Sequence, residues 1–185
     1  MSDALISPCG AYRYTLGRTL DEDDPLLQVA KQAWCAENGI TRHHKPCLFV
    51  MLNPSTADAS LDDPTIRRCK VFAAREGCTF LTVVNLFALR ATDPAELLKH
   101  ADPFGPENLE HIRRELRRHD PERMGHLIVA AWGAHPMATS HPKMKALHDE
   151  ISACGAMCFG TTKAGAPRHP LYLRSDAELM KWTPP

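Results

Sequence analysis

Two asparagines and a histidine fall where a ligand cleft would use them. Asn53 closes the segment Leu52-Asn53-Pro54-Ser55, Asn85 closes Phe80–Leu86, and His169 precedes Pro170 in a loop. An asparagine amide is neutral and is not a strong general base. Asn53 can orient a water by accepting a hydrogen bond, hold a ligand carbonyl by donating one, or simply close an Asx-turn that Pro54 stiffens. Asn85 presents a donor and an acceptor, which suits the edge of a nucleobase or another amide-like ring, or else satisfies loop backbone. His169 can donate to a developing oxyanion or exchange protons near neutral pH, or be merely solvated. His135, His141 and His148 fall in or beside a helix and are weaker candidates.

Other chemistries lack their residues. The chain has no phosphate-cradling glycine loop and no Gly-x-Ser-x-Gly elbow, and none of its seven cysteines sits in a nucleophile signature. No Cys-x-x-Cys pair occurs. Cys154 and Cys158 stand four apart, and His43, His44 and Cys47 lie close together, which is not the paired spacing of a structural zinc site. Asp58, Asp62 and Asp63 could hold a divalent ion, but Asp63 also reads as a helix cap. We expect neither metal nor cofactor.

The elements that position these residues follow from hydrophobic patterning. Tyr12, Tyr14 and Leu16 alternate with polar neighbours as in a half-buried N-terminal strand. A short helix is expected around Leu26–Glu37. Cys47–Leu52, Phe80–Leu86 and Leu127–Trp132 are continuous apolar runs, the pattern of strands covered on both faces. A short fourth strand is expected at Ala156–Gly160. Helices are expected from Asp63-Pro64 to Gly77, over Pro94–His100, Pro106–His119 and Pro142–Ser152, and from Ser175 to Trp182. The alternation predicts one α/β domain over residues 1–185, a three-layer α/β/α sandwich. Its central sheet would be mostly parallel and four-stranded, with an extra N-terminal strand. Ligands of such sheets bind at the carboxyl ends of strands, which here carry Asn53, Asn85, Trp132-Gly133 and the His169 loop.

Composition sets outer limits. At 185 residues, 44% hydrophobic and 24% charged, the chain can bury a core without staples. No apolar run approaches the ~20 residues of a membrane span. Met1-Ser2-Asp3-Ala4 lacks the basic and apolar regions of a signal peptide, and unpaired cysteines suit a reducing compartment, so the expected location is cytoplasmic. Lys plus Arg equals Asp plus Glu, at 22 each, so the whole chain carries no electrostatic footprint for nucleic acid. A basic face could still form from Arg67, Arg68, Lys70 and Arg75 in one segment and Lys163, Arg168 and Arg174 in another.

In order along the chain, the strand ends resemble the uracil-DNA glycosylase superfamily. Leu52-Asn53-Pro54-Ser55 is similar to its first motif, Gly-x-Asn-Pro-Gly in several branches, whose asparagine positions the hydrolytic water. Val83-Val84-Asn85-Leu86 resembles the strand end whose asparagine reads the extruded base. Val129 to His135 resembles the uracil-specific stretch containing Trp-Gly-Ala-His, and Arg168-His169-Pro170-Leu171 the histidine–proline loop. Ser55 stands where that first motif closes on glycine. The chain also resembles, over nearly its whole length, an uncharacterised bacterial and phage family with the signature Leu52-Asn53-Pro54-Ser55-Thr56-Ala57-Asp58 and Asp62-Asp63-Pro64-Thr65.

The resemblance implies a glycosylase-like hydrolase of a damaged or modified base in DNA. Asn53 and His169 would be catalytic. Leu52, Pro54, Ser55, Asn85, Trp132 and Gly133 would bind substrate. Arg67, Arg68, Lys163, Arg168 and Arg174 would contact nucleic acid. Zero net charge equally allows a hydrolase or binding protein for free nucleosides or nucleotides. The missing motif glycines allow a non-catalytic base-binding module.

Overall fold

The computed structural model describes residues 2–20, 45–55, 61–119 and 126–185, with 28–29, 32–33 and 36–37 between them. Half of the helix expected around Leu26–Glu37 lies outside the described residues, as do His43, His44 and Asp58.

One sheet organises the described chain. Strand β1 (Ser2–Ile6) folds back antiparallel on β2 (Arg13–Thr19), and β2 runs antiparallel beside β4 (Phe80–Asn85). β3 (Pro46–Met51) lies parallel between β4 and β5 (Leu127–Ala130). β5 pairs in parallel with β6 (Met157–Cys158), and β7 (Met180–Lys181) closes the far edge antiparallel to β6. The order is β1-β2-β4-β3-β5-β6-β7. The fold is thus mixed α/β, but the expected sheet of four strands plus one is a seven-stranded sheet, parallel in the middle and antiparallel at both edges.

Helices cover both faces. Helix α1 (Pro64–Arg75) packs on the face carrying Cys47, Phe49 and Met51 of β3. Helices α2 (Asn108–Arg118) and α4 (Pro142–Ala153) pack on the face carrying Leu48, Val50 and Leu52. The side-chain period of two sends alternate residues of one apolar run into two cores, and for that reason β3 is apolar throughout. A short helix α3 (Pro136–Ser140) precedes α4, and 3₁₀ turns form at Pro94–Leu98 and Pro170–Tyr172. The helix expected over Pro94–His100 is thus a 3₁₀ turn, and that over Pro106–His119 begins at Asn108.

The C-terminal segment overrides its local pattern. Residues 175–182 were expected to be helical, yet they form a turn and then β7. Two long-range contacts decide this. The open edge of β6 takes β7 as a partner, and Trp182 is buried edge-on against Trp132, with ring centroids 4.8 Å apart. Its indole Nε1 donates to the Gly165 carbonyl at 3.2 Å. Helix propensity differs among ordinary residues by less than about 1 kcal/mol, which burial of one tryptophan exceeds.

Cys47, Cys69, Cys78 and Cys158 are buried free thiols, Cys154 is half-buried and Cys9 exposed. Burial pushes the Cys47 and Cys69 thiols well above their ordinary range, so they behave as small apolar side chains. Among the described residues no helix is long and apolar enough to cross a membrane.

Candidate active site

The parallel register aligns the strand ends. Met51 pairs with Asn85, and Val50 with Ala130. Beyond the strands the ladder continues: the Leu86 N–H donates to Met51 O, Phe87 N–H to Leu52 O, and Ala131 N–H to Val50 O. Asn53, Asn85 and Trp132-Gly133 therefore emerge along one edge. His169, from the loop after β6, joins them. Asn53, Asn85, Gly133 and His169 all line a cavity of about 410 Å³, with Leu52, Ser55 and Trp132 also in its wall. That size suits a small organic ligand. Pro54 is buried beside the wall, where its carbonyl accepts the Ala91 N–H.

Hydrogen bonds fix the orientation of Asn53 and His169 in this wall. Asn53 Nδ2 donates to the carbonyls of Ala91 (2.8 Å) and Pro54 (3.1 Å). Only the nitrogen can donate, so the amide has one sensible orientation, which leaves Oδ1 as its acceptor for a ligand or water. Asn85 is 1% exposed, and its Nδ2 has no hydrogen-bond partner among the described residues. A buried donor left unpaired costs about 1–3 kcal/mol, a cost that an acceptor on a ligand would remove.

His169 Nδ1 accepts the Leu171 N–H at 3.3 Å, so in the neutral ring the proton resides on Nε2. Burial holds the His169 pKa below the usual histidine range, against a weaker opposing pull from the Asp63 carboxylate. The ring is therefore a neutral donor at pH 7. Gly133 adopts φ +79°, a conformation that disfavours any side chain, and its N–H donates to Pro167 O at 2.9 Å, tying the β5 end to the His169 loop. Trp132 reaches the wall, but its indole stacks on His148 at 4.6 Å and abuts Trp182, so most of that ring serves the core.

Ser55 has a structural task. Its hydroxyl hydrogen-bonds Asp63 Oδ2, while Asp63 Oδ1 accepts the Ile66 N–H at 2.7 Å as the cap of α1. Both oxygens of Asp63 are thus engaged. Asp62 is held by Arg18 at 2.7 Å and Lys70 at 3.2 Å. No cluster of metal-ligating side chains forms among the described residues. Phe72 does not reach this wall: its ring is in the core against Phe159 at 4.5 Å.

The five predicted nucleic-acid contacts lie outside the cavity wall, and three of them have internal partners. Arg67 Nη1 donates to Asp62 O, and Arg68 Nη2 to Leu173 O at 2.7 Å while its guanidinium covers the Phe72 ring. Arg174 pairs with Asp176 at 3.0 Å. Lys163 and Arg168 are exposed and form no ion pair among the described residues.

Among the lining residues that the sequence reading did not assign to the site is Arg13. Arg13 was assigned to the outward face of an alternating strand, yet it is 2% exposed and lines the cavity. Burial pulls its pKa down to about 10, partly offset by Asp63, so it stays charged at pH 7. Nothing local to Tyr12-Arg13-Tyr14 signals this. His135, a weaker candidate from its place beside a helix, also lines the cavity.

Residues 13–171 match the family described as protein of unknown function DUF1643. The chain belongs to that family. The match takes in every predicted strand end, from β2 to the His169-Pro170 loop. Comparison with curated proteins and with solved structures returns no match for the chain. The matched family description states no activity, so the chemistry has to be argued from the cavity.

Proposed function

We propose that this DUF1643 protein is a glycosylase-like hydrolase that cleaves the N-glycosidic bond of a damaged or modified base held in the strand-end cavity. The observation that carries the reading is the meeting of Asn53, Asn85 and His169, from three separate segments, in one wall. In DNA the base would be flipped out, at a cost of a few kcal/mol of unstacking. The unpartnered Asn85 Nδ2 donates to an acceptor on the base edge. Asn53 Oδ1 accepts from a water and orients its lone pair toward the anomeric carbon. The His169 Nε2–H donates to the departing base as negative charge builds on it, an interaction whose loss typically costs roughly 10²–10³ in rate. A neutral asparagine suits this reaction because the glycosidic bond breaks largely ahead of water attack.

A second reading, a hydrolase or binding protein for free nucleosides or nucleotides, draws on the surface. Of the five expected phosphate contacts only Lys163 and Arg168 have no internal partner among the described residues, and the chain has no net charge.

The test is incubation of the protein with duplexes carrying uracil, hydroxymethyluracil or phage-type modified bases, scored for abasic sites, alongside the matching free nucleosides. Abasic sites support the DNA reading, and base release from nucleosides alone supports the second. Release from neither, with retained base binding, makes the protein a binding module. Salt separates the partners: affinity for DNA falls steeply as salt rises, because counterion release becomes less favourable, whereas that for a neutral nucleoside hardly changes.

A further inference from the structure

Three His-Pro dipeptides in this chain fold alike. His135-Pro136, His141-Pro142 and His169-Pro170 each open a helical segment with proline at its start. In each, the ring Nδ1 accepts the N–H two residues on, from Met137, Lys143 and Leu171, at 3.3 Å every time. That bond keeps the neutral ring's proton on Nε2. The bond is long, and Ser, Thr, Asp or Asn are the preferred caps. Capping therefore does not explain why these residues are histidines, and each ring needs a second role.

For His141 the second role is packing: its ring lies 4.9 Å from Phe104 and 6.5 Å from Phe87. It does not line the cavity. His169 lines the cavity and tilts against Tyr172 at 5.7 Å. His135 is half-buried, has no ring neighbour among the described residues, and lines the same cavity as His169.

We infer that His135 is a second ligand-binding histidine of this cavity, donating from Nε2–H to an acceptor oxygen of the bound ligand. The inference rests on the proposed base-binding reading. Beside the one acceptor Asn53 Oδ1, the wall offers two donors: Asn85 Nδ2, 1% exposed and without a partner among the described residues, and the His169 Nε2–H. The Asp63 carboxylate is engaged at both oxygens. A ligand that fits such a wall brings acceptor oxygens. Ring carbonyls and phosphate oxygens share that chemistry.

The experiment uses the full chain and compares His135→Asn with His141→Asn. Asparagine keeps a capping oxygen at either position and removes only the ring. Calorimetric titrations would run with free bases, their deoxynucleosides, the 5′-monophosphates and a short single-stranded oligonucleotide. The expected result is binding roughly 3–30-fold weaker for His135→Asn and unchanged for His141→Asn. Weakening already seen with free bases assigns a ring carbonyl to His135. Weakening confined to the monophosphate assigns a free nucleotide's phosphate, and weakening confined to the oligonucleotide assigns backbone phosphate. If His135→Asn binds every probe like the parent while Asn85→Ala abolishes binding, the inference is overturned and the base-binding reading stands. If no probe binds, or Asn85→Ala and His169→Asn also bind normally, both fall. Should His135→Asn lower the melting temperature more than His141→Asn does, His135→Ser repeats the comparison with a different capping oxygen, and normal binding by that variant overturns the inference.

Discussion

Asn108 holds Asn85 from behind: the Asn108 Nδ2 donates at 2.9 Å to the Asn85 carbonyl and at 3.1 Å to that of Leu86. One buried amide on α2 thus fixes the end of β4, and with it the side chain presented to the cavity on the other side of the strand. Replacing Asn108 with Ala strands two buried carbonyls and should cost about 1–3 kcal/mol. Asn108→Asp should cost more, since a carboxylate would face both carbonyl oxygens. Urea unfolding orders the three proteins, and an Asp variant as stable as the parent would refute the arrangement.

His169 combines a cap with a donor, and the two can be separated. His169→Asn preserves an oxygen for the Leu171 N–H but removes the Nε2–H. The expected outcome is near-parental melting with base release slowed roughly 10²–10³-fold, read in single-turnover assays. Equal rates for parent and variant would leave His169 with its cap alone.

The Ser55–Asp63 contact makes a local stability prediction. Ser55→Gly should lose about 1 kcal/mol by removing one hydrogen bond and loosening the chain. Asp63→Ala removes that bond and the α1 cap together, at about 1–3 kcal/mol. The two losses should be less than additive in the double variant, because they share one bond. Denaturant midpoints of the four proteins measure this directly.

His148 gives the fold a directional pH dependence. Burial against Trp132 lowers its pKa to about 4, below the ordinary value of 6.5. Between those values the unfolded chain binds a proton that the folded chain refuses. Its contribution is therefore fully present above about pH 6.5 and is lost as pH falls toward 4, amounting to roughly 2–3 kcal/mol. His169 and His119, also shifted down by burial, act in the same direction. Unfolding free energies measured from pH 7 to 4.5 should fall less in His148→Gln than in the parent.

Trp182 should be the main anchor of the C-terminal strand. Its truncation to Ala removes the packing on Trp132 and the bond to Gly165, at a cost of about 3–5 kcal/mol. Hydrogen exchange would show β7 and β6 losing protection first. A loss below 1 kcal/mol would mean that strand pairing, not the ring, holds this edge.

By itself the sequence determined what local periodicity encodes. The apolar runs at Cys47–Leu52, Phe80–Leu86 and Leu127–Trp132 are strands because both of their faces need cover, and the polar residues that end them mark one edge of a sheet. Asp63 announced its cap, since a cap forms within four residues. Tertiary structure decided what depends on distant partners. Arg13 looks outward in an alternating pattern, yet it is buried in the cavity wall. Residues 175–182 could form a helix, but the open edge of β6 and a site for Trp182 exist only after the sheet assembles. The lack of a partner for Asn85 Nδ2, and the inclusion of His135 while His141 is left out, depend on which groups lose water together. Loss of water is a property of the packed whole, and no spacing along the chain records it.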